Sequence, residues 1–259
     1  MGIDTFDNAD IYGIYTCEAL VGDALALDPA FRNKIKIITK CGICIQSDKF
    51  PNRQIQFYNY SYDYIVGQVE KSLINLHTDR IDLLLLHRPS YLLDPAEVAR
   101  AFEYLHQSGK VLHFGVSNFY PHDFSMLQSY CNVPLITNQI EVSPYCLEHM
   151  ENGNLSYLLE KRIRPMAYSP LAWGKLVHPD CEKSHRVVAE LDCVAREIGV
   201  DGIDKVIFAW IVQHPAGIVP INGSGNIDRI RRSVEALDIR LSAEQWQRIL
   251  VASRGVRLP

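Results

Sequence analysis

Asp7 and Tyr12 stand five residues apart in the stretch DNADIYG, and Lys40 and His87 each follow a later apolar run. These four side-chain types are the parts of a proton donor. A phenol beside an ammonium has its phenolate stabilised and its pKa drawn down from about 10. A carboxylate beside that ammonium keeps it charged and in place. An imidazole nearby donates to a carbonyl oxygen and orients it. Brought together, the four deliver a proton near neutral pH. Taken singly, each has a plainer reading. Asp7 reads as a helix cap or loop acid, Tyr12 as a turn aromatic before Gly13, Lys40 as a solvated lysine, and His87 as a hydrogen-bonded core histidine behind four leucines.

Whether they meet depends on the elements that carry them. Seven short apolar runs read as strands: IDTF (3–6), IKIIT (35–39), IDLLLL (81–86), VLHFGV (111–116), LIT (135–137), RPMA (164–167) and GIVPI (217–221). They lack clean alternation, as strands covered on both faces do. Helical patterns fill the gaps, at 17–27, 62–76, 94–109, 121–130, 184–198, 203–214, 226–237 and 242–254. Ser61 and Asp94 stand where N-caps belong, and Pro95 at a first helical position. Strands alternating with helices imply a parallel sheet. No G-x-G-x-x-G follows any of these strands, which counts against a dinucleotide-binding doubly wound sheet.

The alternative parallel architecture is the (β/α)8 barrel, commonly about 250 residues long, and this chain has 259. In a barrel the residues just past each strand share the C-terminal face, where active sites are built. Those residues are Asp7 and Tyr12, Lys40, His87, Ser117 and Asn118, Asn138 and Gln139, Tyr168 and Ser169, and Asn222, Gly223 and Ser224. No linker or low-complexity segment interrupts the chain, so residues 1–259 read as one domain.

The net charge of -4 is too mild to point to nucleic acid or an anionic membrane as partner. The longest apolar runs, such as LLLL at 83–86, fall far short of the roughly 20 residues of a membrane span. Seven scattered cysteines, an odd number, predict reduced thiols and a cytoplasmic protein. Cys41 and Cys44 form a lone C-x-x-C with no second pair to complete a metal cage, so no metal site is expected.

With these residues in view, the chain resembles the aldo-keto reductases, and most closely their short bacterial-type oxidoreductases. The motifs are DNADIYG (7–13), ITKCG (38–42), LLLLHRP (83–89), GVSNF (115–119), TNQIEVSP (137–144), MAYSPLAWG (166–174) and PINGSGNIDRIRRSVEA (220–236), all in the family's order. The resemblance implies a (β/α)8 barrel that binds NADP(H) and reduces a small-molecule aldehyde or ketone, or oxidises the alcohol. It implies catalytic roles for Asp7, Tyr12, Lys40 and His87, with Tyr12 protonating the carbonyl oxygen. Ser117, Asn118 and Gln139 are implied to hold the nicotinamide carboxamide, with Tyr168 under its ring and Ser169 and Gly223 at neighbouring cofactor-side strand ends. Ser224 and Arg229 are implied to meet the adenosine 2'-phosphate.

Against this pattern, the clamp GSGNIDRIRRS lacks a basic residue and a Glu-Asn pair that many relatives carry, which bears on NADP against NAD. The chain also begins at the family's second strand, so the barrel is expected to lack its first β/α unit. A non-catalytic nucleotide-binding or regulatory protein, or an inactive fragment, is the alternative on such a barrel. Of the basic cluster at 229–233, Arg231 and Arg232 read as a solvated helix face, and Arg229 reads equally as that or as a phosphate contact. Trp173 reads equally as a substrate contact or as packing. The aromatic stretch FYNYSYDY (57–64) is expected to be a loop and helix start lining the substrate mouth. Substrate identity and oligomeric state are not legible, since in this fold they depend on variable loops.

Overall fold

Backbone pairing begins at Asp4, whose carbonyl accepts the Lys36 N–H at 2.7 Å. In the computed structural model, which describes residues 1–257, the chain divides into two compact units, Gly2–Asn138 and a second beginning at Gln139.

The first unit opens with β1 (Thr5–Asp7), an irregular turn of helix α1 (Tyr12–Tyr15) and α2 (Cys17–Ala26). There follow β2 (Lys36–Cys41), β3 (Ile43–Cys44), β4 (Phe57–Tyr58), α3 (Tyr62–Asn75), β5 (Ile81–Leu86), α4 (Pro95–Gln107), β6 (Val111–Ser117), α5 (Pro121–Tyr130) and the start of β7 (Leu135–Glu141). Strands β1, β2, β5 and β6 are neighbours in one parallel sheet, with Asp7 opposite Ile38, Lys40 opposite Leu85, and Leu85 opposite Gly115. The residues of β2 from Ile37 to Cys41 are all buried, as are Leu83–Leu86 of β5, which is why the apolar residues Ile37–Ile38 and Leu83–Leu86 run together instead of alternating with polar ones.

Helices cover the sheet by their apolar stripes. Val98, Ala101, Phe102 and Leu105 form the buried face of α4, and Phe102 stacks on Phe114 of β6 with ring centroids 4.2 Å apart. Val98, Phe102 and Leu105, taken out of water, each contribute about 1.5–3 kcal/mol. The helix starts follow the sequence signals. Asp94 accepts from the Ala96 N–H at 2.9 Å behind Pro95, and Ser61 accepts from the Tyr64 N–H. Gly115 is required by space, because a Cβ there would lie 2.8 Å from both Leu85 Cδ2 and the Thr137 carbonyl oxygen.

The second unit continues β7 and adds α6 (Glu148–Glu151), α7 (Asn154–Glu160), β8 (Met166–Tyr168), α8 (Glu182–Ile198), α9 (Ile203–Val212), β9 (Val219–Pro220), α10 (Ile227–Glu235) and α11 (Ala243–Arg254). Strands β7, β8 and β9 pair in parallel, with Glu141 opposite Tyr168 and Ala167 opposite Pro220. Helix α9 is buried nearly throughout. Its Trp210 stacks on Trp246 of α11 at 4.7 Å, and each indole N–H donates to the other residue's carbonyl.

Several strands extend one or more residues past the expected ends. Asp7 and Ser117 are ladder members although polar, because the parallel pairing runs on past the last apolar side chain. The GIVPI run contributes only two strand residues. The 57–64 stretch is part strand: Phe57 and Tyr58 pair antiparallel with Ile43 and Cys44 before α3 begins. Among the described residues all seven cysteines are free, and no helix is long and apolar enough to cross a membrane.

Candidate active site

The first unit brings Asp7, Tyr12, Lys40 and His87 together. Lys40 reaches the end of β2, where it pairs with Leu85. The turn after β1 is fastened to the same strand: the Asn8 N–H donates to the Ile38 carbonyl at 2.8 Å, and the Asp10 N–H to the Lys40 carbonyl at 3.0 Å. His87 closes the set by donating its backbone N–H to the Cys41 carbonyl at 3.0 Å.

The Lys40 side chain is 0% exposed. Its ammonium donates to Asp7 Oδ2 at 2.7 Å, to the Asn8 carbonyl at 2.7 Å and to the Tyr12 hydroxyl at 3.1 Å. An ammonium has three N–H donors, and here each has an acceptor. A buried charge with all its hydrogen bonds made is the tolerable case. The solvated-lysine reading of Lys40 therefore does not hold. Tyr12 is 37% exposed, so its hydroxyl is fastened to Lys40 while the ring stays open to solvent.

His87 lies edge-on to Tyr12, ring centroids 5.9 Å apart. It is buried, yet its Nδ1 has no hydrogen-bond partner among the described residues. The hydrogen-bonded core histidine is thus not what the structure holds. Burial first, then the charges of Lys40 and Arg88, push its pKa down from 6.5 to about 3. The imidazole is neutral at physiological pH.

Ser117 and Asn118 close the end of β6. Ser117 is buried and accepts from Asn118 Nδ2 at 2.8 Å, and Asn118 takes the left-handed conformation, φ 61°. The amide of Asn118 is thereby turned by a backbone conformation that costs energy outside glycine.

The remaining expected residues belong to the second unit. Gln139 is buried in β7. Tyr168 ends β8, and Ser169 follows it at φ 50°. Trp173, at φ 56°, is 74% exposed, meets the Tyr168 ring edge-on, and donates its indole N–H to Glu141 at 3.2 Å. Core packing is therefore excluded for Trp173. Past β9, Ser224 Oγ accepts from the Asn226 N–H, and Asn226 caps α10 through the N–H groups of Asp228 and Arg229. Gly223 is exposed beside them. In the basic cluster, Arg231 pairs with Asp228, and Arg232 with Asp201 and Asp204. Arg229 is exposed and has no ion pair among the described residues.

The profile of the aldo/keto reductase family matches residues 1–253. The chain belongs to the aldo/keto reductase family. This aldo/keto reductase is 51% identical to the uncharacterized oxidoreductase YcsN of Bacillus subtilis, over all of this chain and 86% of that one. It is 42% identical to the 6-dehydroglucose reductase of Agrobacterium fabrum, over 98% of this chain and 84% of the relative. Its fold matches the crystal structure of the glycerol dehydrogenase AKR11B4 from Gluconobacter oxydans with a TM-score of 0.85 at 24% identity, covering all of this chain and 84% of that one. The fold class is the (β/α)8 barrel.

Two contributors were not singled out from the sequence. The Asn8 carbonyl takes one Lys40 proton, and a backbone acceptor has no side-chain signature. The carboxyl of Asp10 is buried and accepts from Gln68 of α3 at 2.9 Å. Its signal was a second aspartate inside DNADIYG.

Proposed function

We propose that this aldo/keto reductase reduces an aldehyde or ketone with NADP(H), Tyr12 giving the proton to the carbonyl oxygen. The observation that carries this reading is the Lys40 ammonium, buried and held by Asp7, with its third N–H on the Tyr12 hydroxyl. As Tyr12 gives up its proton, the charge that develops on its oxygen faces a buried, preorganised cation. Asp7 keeps that cation in register. His87, neutral and with Nδ1 buried, has Nε2 left to donate to the substrate oxygen and orient it beside Tyr12.

The chain's donors suit a nicotinamide dinucleotide phosphate. Asn118 and Gln139 offer amides to an amide, Ser117 a hydroxyl, and Tyr168 a π-face. Ser169 and Gly223 lie in the loops that follow β8 and β9. Ser224 stands just ahead of the capped start of α10, and Arg229 offers a guanidinium that no carboxylate neutralises among the described residues. When bound, the cofactor supplies the hydride. The name of the Agrobacterium relative favours oxidised sugars as the substrate class.

The test is reduced-cofactor consumption by the purified chain with NADPH or NADH, against oxidised sugars and simple aliphatic and aromatic aldehydes. The reading predicts carbonyl-dependent oxidation of NADPH with one alcohol formed per cofactor. Binding of NADPH without turnover of any carbonyl would instead support a non-catalytic nucleotide-binding protein.

A further inference from the structure

Asp10 is the aspartate of DNADIYG that the reaction above does not use. It sits two residues before Tyr12 and is only 5% exposed. Its Oδ2 accepts from Gln68 Nε2 at 2.9 Å, in a buried contact. Its Oδ1 has no partner among the described residues. Its backbone N–H holds the Lys40 carbonyl. Asp10 therefore ties the turn that carries Tyr12 to β2 on one side and to α3 on the other.

That turn needs fastening. Gly13, Ile14 and Tyr15, directly after Tyr12, all have positive φ, at 58°, 56° and 63°. A branched side chain such as Ile14 in this region is strained and persists only when its surroundings hold it. Beyond the strained residues the Tyr15 hydroxyl is anchored by Arg53 Nη1 at 2.9 Å and the Ile45 N–H at 3.2 Å. Before them the anchor is Asp10. Tyr12 lies between the two.

We propose that Asp10 is a positioning residue for Tyr12, its clasp to Gln68 fixing the phenol against Lys40 and its charge state setting the field behind that pair. The proposal rests on the proton-donor reading of Tyr12. The groups facing Asp10 are Glu18 of α2, Lys40 and Cys41 of β2, Cys44 of β3, Tyr60, and Tyr64 and Gln68 of α3. Burial raises the carboxyl to about 7, opposed by the Gln68 hydrogen bond and reinforced by Glu18. Below that pH Asp10 is neutral, and Lys40 acts undiminished on the charge developing at Tyr12. Above it a buried negative charge opposes Lys40, and carbonyl reduction slows.

The experiment compares wild type with Asp10→Asn, Asp10→Ala and Gln68→Ala. Asp10→Ala and Gln68→Ala lower kcat by about tenfold, the loss expected when a catalytic group is loosened, while NADPH affinity by titration is unchanged. Wild-type kcat falls by about threefold or more as pH rises through about 7. Asp10→Asn, which keeps an acceptor for Gln68, abolishes that fall and folds with the carboxyl's shape. A second readout needs no turnover. The NMR signal of ring-labelled Tyr12, assigned through Tyr12→Phe, shows a step near pH 7 in wild type and none in Asp10→Asn. That step without turnover of any carbonyl supports the placement of Asp10, and only the functional reading fails. Absence of the step, or an Asp10→Asn rate profile that matches wild type, overturns the proposal.

Discussion

The ammonium of Lys40 lies 3.1 Å from the Tyr12 hydroxyl and 4.8 Å from the centroid of the Tyr12 ring. One buried cation thus addresses both the proton-bearing oxygen and the π-face of one phenol. Asp7 makes this tenable, at 2.7 Å from the same ammonium.

Loss of Asp7 leaves that ammonium buried beside a carbonyl and a phenol alone. Breaking a buried pair from one side typically costs about 3–5 kcal/mol. Asp7→Ala is therefore predicted to lower the unfolding free energy by about 3 kcal/mol in urea titrations. Lys40→Met removes the charge together with its need for a partner, and is predicted to be less destabilising although equally poor in turnover. Equal stability of Asp7→Ala and wild type would show that the pair does not hold the site.

Arg229 is separated from its neighbours by what they touch. Arg231 and Arg232 are occupied by Asp228, Asp201 and Asp204, while Arg229 has no such partner among the described residues. A guanidinium on a phosphate is worth roughly 1.5–3 kcal/mol as a charged hydrogen bond. Arg229→Ala is predicted to weaken NADPH about tenfold or more and to leave NADH nearly unchanged. Arg231→Ala is predicted to change neither. Fluorescence titration with both cofactors distinguishes these outcomes, and an equal loss for NADPH and NADH in Arg229→Ala removes its role at the 2'-phosphate.

The neutrality of His87 has a measurable sign. Its folded pKa of about 3 lies below the ordinary value of 6.5, so the unfolded chain takes up a proton that the folded chain refuses. Stability from this residue is complete above pH 6.5 and declines as pH falls toward about 3, at most by about 1.4 kcal/mol per unit. Asp10, raised to about 7 from 3.8, contributes in the opposite sense, its share being lost as pH rises through that window. The difference between wild type and His87→Gln isolates the histidine. Its stability advantage over the variant is predicted to shrink between pH 7 and 4, and a constant difference would show that His87 is not held neutral.

Much of this was legible in the sequence where one physical cause dominates. Helices with capping residues were found to within a few residues: Asp94 and Pro95 mark the start of α4, and Ser61 that of α3. The run IDLLLL matches β5 end to end: burial on both faces keeps Leu83–Leu86 apolar, and its one polar residue, Asp82, accepts from Arg32 and from the Ile37 N–H. What was missed depends on partners remote in sequence. Ile43–Cys44 and Phe57–Tyr58 are strands only because they pair with each other. The α6–α7 segment, Glu148–Glu160, is too polar and too short to announce itself. Lys40 looked solvated because its acceptors lie some thirty residues upstream, and only the β1–β2 pairing brings them to it. Asp7, Tyr12, Lys40 and His87 stand out by type and by position after strands, and the parallel register brings their strands side by side.

The central claim is that Tyr12, activated by Lys40, gives the proton. Its most direct test is kcat for carbonyl reduction by Tyr12→Phe, with NADPH affinity measured on the same preparation. General-acid loss predicts a fall of about 10²-fold or more in kcat with cofactor binding unchanged. Turnover of Tyr12→Phe at the wild-type rate would contradict the account.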